Sequence, residues 1–527
     1  MSRLDPLIDR FPKTSSLVLG ALAATGFPPL SWWPLALVAM GLAMRLVWRS
    51  ADWRGATMRG WLFGVAHFTT TNTWIATSFT HQSEMPTFLG WLAVPLISLY
   101  LAIYPTLAAG GAKAFTRTER RPWIFMLAFA GLWIVTEWLR AWLFTGYAWG
   151  PFSLVLVGTA EQPGLALLLP WFGSYALSGV AVLASGLFVW MALARRYLAG
   201  AGLAAAITAG MLVPRPAPIE GSRPYLVVQP DLDQGELHDP REYEAAFVTL
   251  AELSVRKVGD PGGEDAKRLV FWPESGLPDY LREGYPAKYY RATTAGGDPA
   301  YAKRRLGAIL GANTVLMTGA VDLEIEADKA IGAYNVVTAV DETGAIVGSY
   351  RKAHLVPFGE YLPLRGLLEP LGLSRLVAGN IDFLDGPGPD TVDVDKFGRV
   401  GMQICYEIVF SGEVVDREDR PDFLFNPSND GWFGAWGPPQ HFAQARMRAI
   451  EEGLPVIRAT TTGISGVIDA NGVVRASLGT GIEGRLAGLI PPAKERTLFA
   501  LLGNKLALAW AVLFLVLSVV AMRWRRS

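Results

Sequence analysis

Apolar residues run in long blocks through the first part of the chain, at 15–33, 34–48, 58–79, 87–110, 123–144, 164–193 and 198–213, and a last block at 498–522 closes it. Roughly 20 apolar residues carry a helix across a hydrocarbon core of about 30 Å, so these blocks predict about eight membrane spans. The first two and the seventh are short or interrupted by Pro28 and Pro29. Between 214 and 497 the pattern changes to short apolar runs separated by charged stretches such as 240–244 and 259–268. Strands are expected at 225–230, 269–273, 308–320, 334–340, 400–405, 423–426, 456–459 and 464–469. The sequences DETG at 341–344 and DANG at 469–472 read as hairpin turns, because glycine adopts positive φ without steric cost. Good helix formers with a mixed face predict a helix over 440–452. The chain therefore divides into a membrane-spanning helical part, 1–213, a mixed α/β domain, 214–497, and a C-terminal span with its tail, 498–527.

Charge placement orients these parts. Arginine and lysine collect in alternate connections: Arg45, Arg49, Arg54 and Arg59; Lys113, Arg117, Arg120 and Arg121; Arg195 and Arg196; and Arg523, Arg525 and Arg526 after the last span. Basic loops stay on the cytoplasmic side, which predicts both termini inside and the segment from 214 to 497 outside. In a bacterium that compartment is the periplasm. The start, MSRLDPLIDRFPK, leads into apolar sequence without a small-residue cleavage site, so the first block reads as a retained span.

Composition narrows the chemistry. Hydrophobic residues make up 51% and charged residues 18%, with a mean hydropathy of +0.27, which argues against a purely soluble enzyme. The formal net charge is zero, so no basic field points to nucleic acid. A single cysteine, Cys405, excludes an intrachain disulfide and a zinc site on paired thiols. His67, His81, His238, His354 and His441 lack ligand spacing, and no metal or other cofactor is expected.

Three polar side chains follow strand-like runs: Glu274 in LVFWPES, Lys352 in GSYRKAHLVPFGE and Cys405 in GMQICYE. Side chains just past the carboxyl ends of strands in α/β sheets face ligand clefts. Together the three can perform nucleophilic acyl transfer: a carboxylate takes the thiol proton, the thiolate attacks a carbonyl, and an ammonium stabilises the oxyanion. Each also has a plainer reading, Cys405 as a packed small hydrophobe, Glu274 as a cap or loop carboxylate and Lys352 as a solvated turn residue. The combination favours chemistry.

These residues resemble the nitrilase superfamily, whose glutamate, lysine and cysteine act on an αββα sandwich. More specifically, YRKAHLVPFGEYLPL, CYEIVF, SNDGWFG, PPQHFAQARMRAIEEGLPVIRAT and TGISGVID are similar to the apolipoprotein N-acyltransferase family, as is EWLRAWLFTGYAWG at 137–150 in the membrane part. The resemblance implies an α-helical membrane bundle carrying an exported nitrilase-like domain, with Glu274, Lys352 and Cys405 catalytic. It further implies that Glu360 orients or neutralises Lys352, that Tyr406 and Glu407 support the nucleophile, and that Trp432 borders the site. Trp432 and Phe433 read either as a cover over the acyl-enzyme or as simple packing. Glu137 and Arg140, one turn apart at membrane depth, read as lining a lipid path, or Arg140 as snorkelling to the interface. Lys352 is expected to lower the resting pKa of Cys405.

The implied reaction moves an acyl chain from a phospholipid to the α-amino group of an S-diacylglyceryl cysteine on an apolipoprotein, by a monomer in the bacterial inner membrane. A site outside that membrane has no supply of ATP or acyl-CoA, which is why a phospholipid is the expected donor. Two departures from the family stand out, His238 where tryptophan is frequent and Thr461 where asparagine is usual. Rival readings are a membrane-tethered amidase or nitrile hydrolase with the same three residues, and a transporter or receptor whose outer domain only binds ligand.

Overall fold

The computed structural model describes residues 5–81, 86–214, 217–263, 266–371, 375 and 381–524. Arg525 and Arg526, and positions 264–265 of the charged stretch, lie outside them. Among the described residues, four helical stretches are long and apolar enough to cross a membrane: Phe88–Phe115, Pro122–Arg140, Leu165–Leu193 and Asn504–Arg523. Trp33–Trp48 and Tyr197–Met211 are apolar but shorter. The block expected at 58–79 divides into helices Trp53–Thr71 and Ile75–Ser78. The helices approach closely through small residues; a Cβ on Gly20 would collide with the Phe63 carbonyl, and one on Gly41 with that of Ser185.

Among the described residues, the α/β domain holds two six-stranded sheets. The first has the order β12-β1-β2-β3-β4-β5, from β1 (Pro224–Gln229), β2 (Arg268–Phe271), β3 (Thr314–Glu326), β4 (Lys329–Asp341), β5 (Ile346–Arg351) and β12 (Gly484–Leu489). The second has the order β11-β10-β9-β8-β7-β6, from β6 (Thr391–Asp393), β7 (Arg399–Met402), β8 (Phe423–Ser428), β9 (Val456–Thr460), β10 (Ser465–Ile468) and β11 (Val474–Leu478). In each sheet a parallel trio, β1–β2–β3 or β7–β8–β9, is flanked by antiparallel edges. The sheets face each other through apolar side chains, with Phe271 against Phe425 at a ring distance of 4.8 Å.

Both turn expectations hold: DETG joins β4 to β5 with Gly344 at φ 85°, and DANG joins β10 to β11 with Gly472 at φ 74°. The strand expected from 308 starts at Thr314, because 308–310 finish the amphipathic helix Pro299–Leu310.

Helices complete the sandwich, and the two outer layers differ. Tyr243–Ser254 and Pro299–Leu310 cover the first sheet with one face each, packing Phe247, Leu250 and Leu306 on Val228, Val270 and Trp272. Over the second sheet lies helix Gly437–Glu452, in which every residue except Pro439 is buried. Its Ala445 and Ala449 meet Phe423, Phe425 and Val456 of the sheet, while Ala443, Met447 and Ile450 share a cluster with Met40, Phe125 and Leu177 of the membrane part. The helix thus has two dry faces, and its polar side chains bind membrane-part groups: Gln440 accepts from the Trp149 indole at 2.9 Å, Gln444 from the Gly150 amide at 3.0 Å, and Glu451 from the Ser174 hydroxyl at 2.8 Å.

Candidate functional site

The site forms where strands end. β2 runs out into Trp272-Pro273-Glu274, and a Cβ on Gly319 of β3 would overlap the Glu274 backbone, so glycine lets the turn sit against the sheet. β5 ends one residue before Lys352. β7 ends at Met402, and Cys405 follows in the left-handed region at φ 51°. A non-glycine residue there costs roughly 1–3 kcal/mol and is kept only where its surroundings fix it. All three side chains are buried and converge.

One wall of the site is carboxylate and ammonium. Lys352 Nζ lies 2.9 Å from Glu360 and 3.6 Å from Glu274 Oε1. Asn335 of β4 donates to Glu274 at 2.7 Å and to Glu360 at 2.9 Å, and the Asn429 amide donates to Glu274 Oε2 at 2.9 Å. Burial lowers the Lys352 pKa, but Glu360 and then Glu274 outweigh it and hold the pKa above the ordinary lysine value, so it stays an ammonium.

Burial, and then the charge of Glu274, push the Cys405 thiol up, while Lys352 pulls it down and loses. Lys352 lowers the thiol as expected, but burial and Glu274 outweigh it, so the thiol rests protonated and a base must remove its proton as it attacks.

A second wall, behind the nucleophile, was not read from the sequence. Ser428, Asp430, His441 and Arg458 are all buried around it. Ser428 Oγ lies 3.3 Å from Cys405 Sγ and donates to Asp430 at 2.7 Å. Burial alone would raise Asp430, but Arg458, at 2.7 and 2.8 Å from its two oxygens, keeps it ionised well below the usual carboxylate range. A Cβ on Gly463 would collide with the Asp430 side chain, so only glycine allows this close approach. Burial and then the Arg458 charge lower His441, so its ring is neutral. Its Nε2–H therefore donates to the Cys405 carbonyl at 3.0 Å, and Nδ1 accepts from Arg458 at 3.0 Å. Asn426 adds a second donor to the same carbonyl at 3.3 Å. These two bonds fix the strained backbone at Cys405.

The supporting residues separate. Glu407 accepts from the Tyr350 hydroxyl and the Ala353 and His354 amides at 2.8, 2.7 and 3.1 Å, and from the Ile404 amide at 2.7 Å, tying the Lys352 loop to the residue before the nucleophile. Tyr406 is buried edge-on to Phe410. Phe433 is buried among Trp74, Trp149 and His441, whereas Trp432 stays partly exposed between the His81 and His238 rings. Glu137 and Arg140 do not pair with each other. Glu137 accepts from the Phe152 amide at 2.8 Å, and Arg140 donates to the Trp149 and Gly150 carbonyls at 2.9 and 3.3 Å, so both fold the 149–152 segment against helix Gly437–Glu452.

Comparison with known proteins agrees with this two-part plan. Residues 19–187 match the apolipoprotein N-acyltransferase N-terminal domain, and residues 244–497 match the carbon-nitrogen hydrolase family. An apolipoprotein N-acyltransferase of Rhodopseudomonas palustris is 32% identical over 96% of this chain and 95% of its own length. The chain belongs to the apolipoprotein N-acyltransferase family. A second relative of that name, from Bradyrhizobium diazoefficiens, is 31% identical over 96% of this chain and 94% of its own length. Among solved structures, the C. elegans NitFhit protein aligns over 58% of this chain and 66% of that one, at 20% identity and a TM-score of 0.38.

Within the family frame, the two departures fall beside the site. Thr461 donates its hydroxyl to Asn429 Oδ1 at 2.9 Å, which steadies the residue whose amide holds Glu274. His238 turns Nδ1 to the Gln234 carbonyl at 2.8 Å and meets Trp432 edge-on.

Proposed function

We propose that this chain transfers a fatty acyl group from a phospholipid, through a thioester on Cys405, to the α-amino group of the S-diacylglyceryl cysteine that begins an apolipoprotein. The observation that carries this reading is the convergence of Glu274, Lys352 and Glu360 with Cys405 in one buried site, in a family member whose catalytic domain is seated on apolar helices. In the first step Glu274 takes the thiol proton while sulfur attacks the ester carbonyl. Lys352 stabilises the oxyanion, held in place by Glu360. The C–O bond breaks, and the lysophospholipid leaves with the proton from Glu274. In the second step the amine attacks the thioester, Glu274 accepts its proton, and the thiolate leaves and is reprotonated.

Glu407 and Tyr406 keep the nucleophile in register, and Trp432 covers the acyl-enzyme against water. Glu137 and Arg140 border the lipid path by holding the 149–152 segment. The reading takes about eight spans. It divides the chain at 213 and 497 and places the catalytic domain on the periplasmic side of the inner membrane, with both termini inside, in a monomer. A reporter inserted near Glu264 should register outside and one fused after Arg526 inside; finding both on one side overturns the orientation.

The decisive experiment gives the full-length protein phospholipid but no acceptor. Its mass should rise by one acyl chain, released by hydroxylamine and mapped to Cys405. An acyl group on another residue, or N-acylation by Cys405→Ala, would end the proposal.

A further inference from the structure

We propose that Ser428 is a proton-switching partner of the nucleophile, accepting from the Cys405 thiol while the site rests and donating to the sulfur once the thiolate forms. The inference rests on Cys405 being the nucleophile. Its geometry is a single buried hydroxyl between two acceptors, Cys405 Sγ at 3.3 Å and Asp430 Oδ1 at 2.7 Å. A hydroxyl has one proton to give and two lone pairs to offer. An ionised carboxylate at the shorter distance outbids a neutral sulfur, so at rest the proton goes to Asp430. The lone pairs of Ser428 Oγ then face the sulfur, and the S–H bond points to them. The thiol proton is thereby turned away from Glu274 and the nucleophile is parked.

Attack reverses the arrangement. The S–H swings to Glu274, the S–H bond breaks, and a bond from that proton to a Glu274 oxygen forms. The sulfur is now an uncompensated anion, while the charge of Asp430 is already shared with Arg458, so the hydroxyl rotates about its Cβ–Oγ bond and donates to the sulfur. Asp430 keeps both contacts with Arg458 through the change. Once the thioester forms, the sulfur loses its charge and the hydroxyl returns to Asp430. When the amine expels the sulfur, Ser428 donates again. The same hydroxyl thus serves the sulfur as it is made into a nucleophile and as it leaves. The charged groups facing this sulfur are Glu274 and Lys352 on one side and Asp430 on the other, with Arg458 and the neutral His441 behind Asp430.

Cys405 is the one cysteine of the chain, so alkylation by iodoacetamide reads this sulfur alone. The test follows alkylation of the full-length protein in detergent against pH, for the wild type, Ser428→Ala and Ser428→Thr. Loss of the hydroxyl removes a donor from the thiolate. The midpoint should therefore move to higher pH and the rate at a pH below both midpoints should fall about tenfold, while threonine restores the wild-type profile. Should Ser428→Ala not fold, Ser428→Gly carries the same expectation. Superimposable profiles for the wild type and the hydroxyl-free variant, or a folded Ser428→Thr that behaves like it, overturn the proposal. Alkylation uses neither lipid nor acceptor, so this outcome is distinct from the acyl-adduct test.

Discussion

The two walls around Cys405 are both buried and both ionic, yet they are built on opposite plans. The front wall sets one ammonium, Lys352, among two carboxylates, Glu274 and Glu360, with Asn335 bridging them. The rear wall pairs Asp430 with Arg458; Asp430 also accepts from the hydroxyl beside the sulfur, and His441 donates to the carbonyl of the nucleophile. An excess carboxylate is what proton exchange needs, because one of the two can change state while the other keeps Lys352 charged. A matched pair is what positioning needs, because it stays ionised throughout. The difference teaches where to look for chemistry and where for geometry.

Changes in the front wall should therefore stop the reaction. Lys352→Met removes the oxyanion partner and should lower acyl-enzyme formation by about 10²–10³-fold. Glu274→Gln removes the base and should cost about 10²–10⁴-fold. Both are read as the mass of the protein after incubation with phospholipid, and a full acyl adduct on either variant would erase the contrast between the walls.

Changes in the rear wall should act on the fold first. His441→Ala leaves the Cys405 carbonyl one donor short and should lower stability by about 1–3 kcal/mol. Acyl-enzyme formation should fall about tenfold as the strained backbone relaxes. Thermal unfolding and adduct formation measured on the same sample separate the two, and loss of activity as complete as in Glu274→Gln would move His441 into the chemistry. Smallest is Arg140→Ala, which frees the Trp149 and Gly150 carbonyls at the back of this wall. Unfolding should come earlier by about 1–3 kcal/mol with acylation retained once folded; intact stability with lost lipid turnover would instead assign Arg140 to the lipid path directly.

Glu274 and Cys405 were legible because they stand at the ends of expected strands, where such side chains gather, whereas Glu360 entered through the family resemblance. Lys352 was found although β5, which presents it, was not expected: Ile346–Arg351 is half-exposed and lacks clean alternation. The edge strands β11 and β12 were missed for the same reason. Asn335 reads as an ordinary polar position within β4, and only the pairing of β4 beside β3 brings it to Glu274. The rear wall joins residues from β8, β9, a turn and a helix, a meeting set by sheet order rather than by spacing. Its residues lie within motifs that carry the family resemblance, SNDGWFG and PPQHFAQARMRAIEEGLPVIRAT, but the motifs do not say which atoms touch. In the membrane part, the apolar blocks located four spanning helices among the described residues, and their ends poorly, since the 123–144 block stops helically at Arg140.

Helix Gly437–Glu452 has no side left for water, and that decides how the protein can be handled. An attempt to cut the α/β domain free would bare Ala443, Met447 and Ile450 together with Gln440 and Gln444, a strip of oil studded with amides that lose their partners. Such a fragment should aggregate rather than dissolve. The enzyme is a single casting, and anything that prises domain from membrane would take with it the helix that carries His441 to the nucleophile.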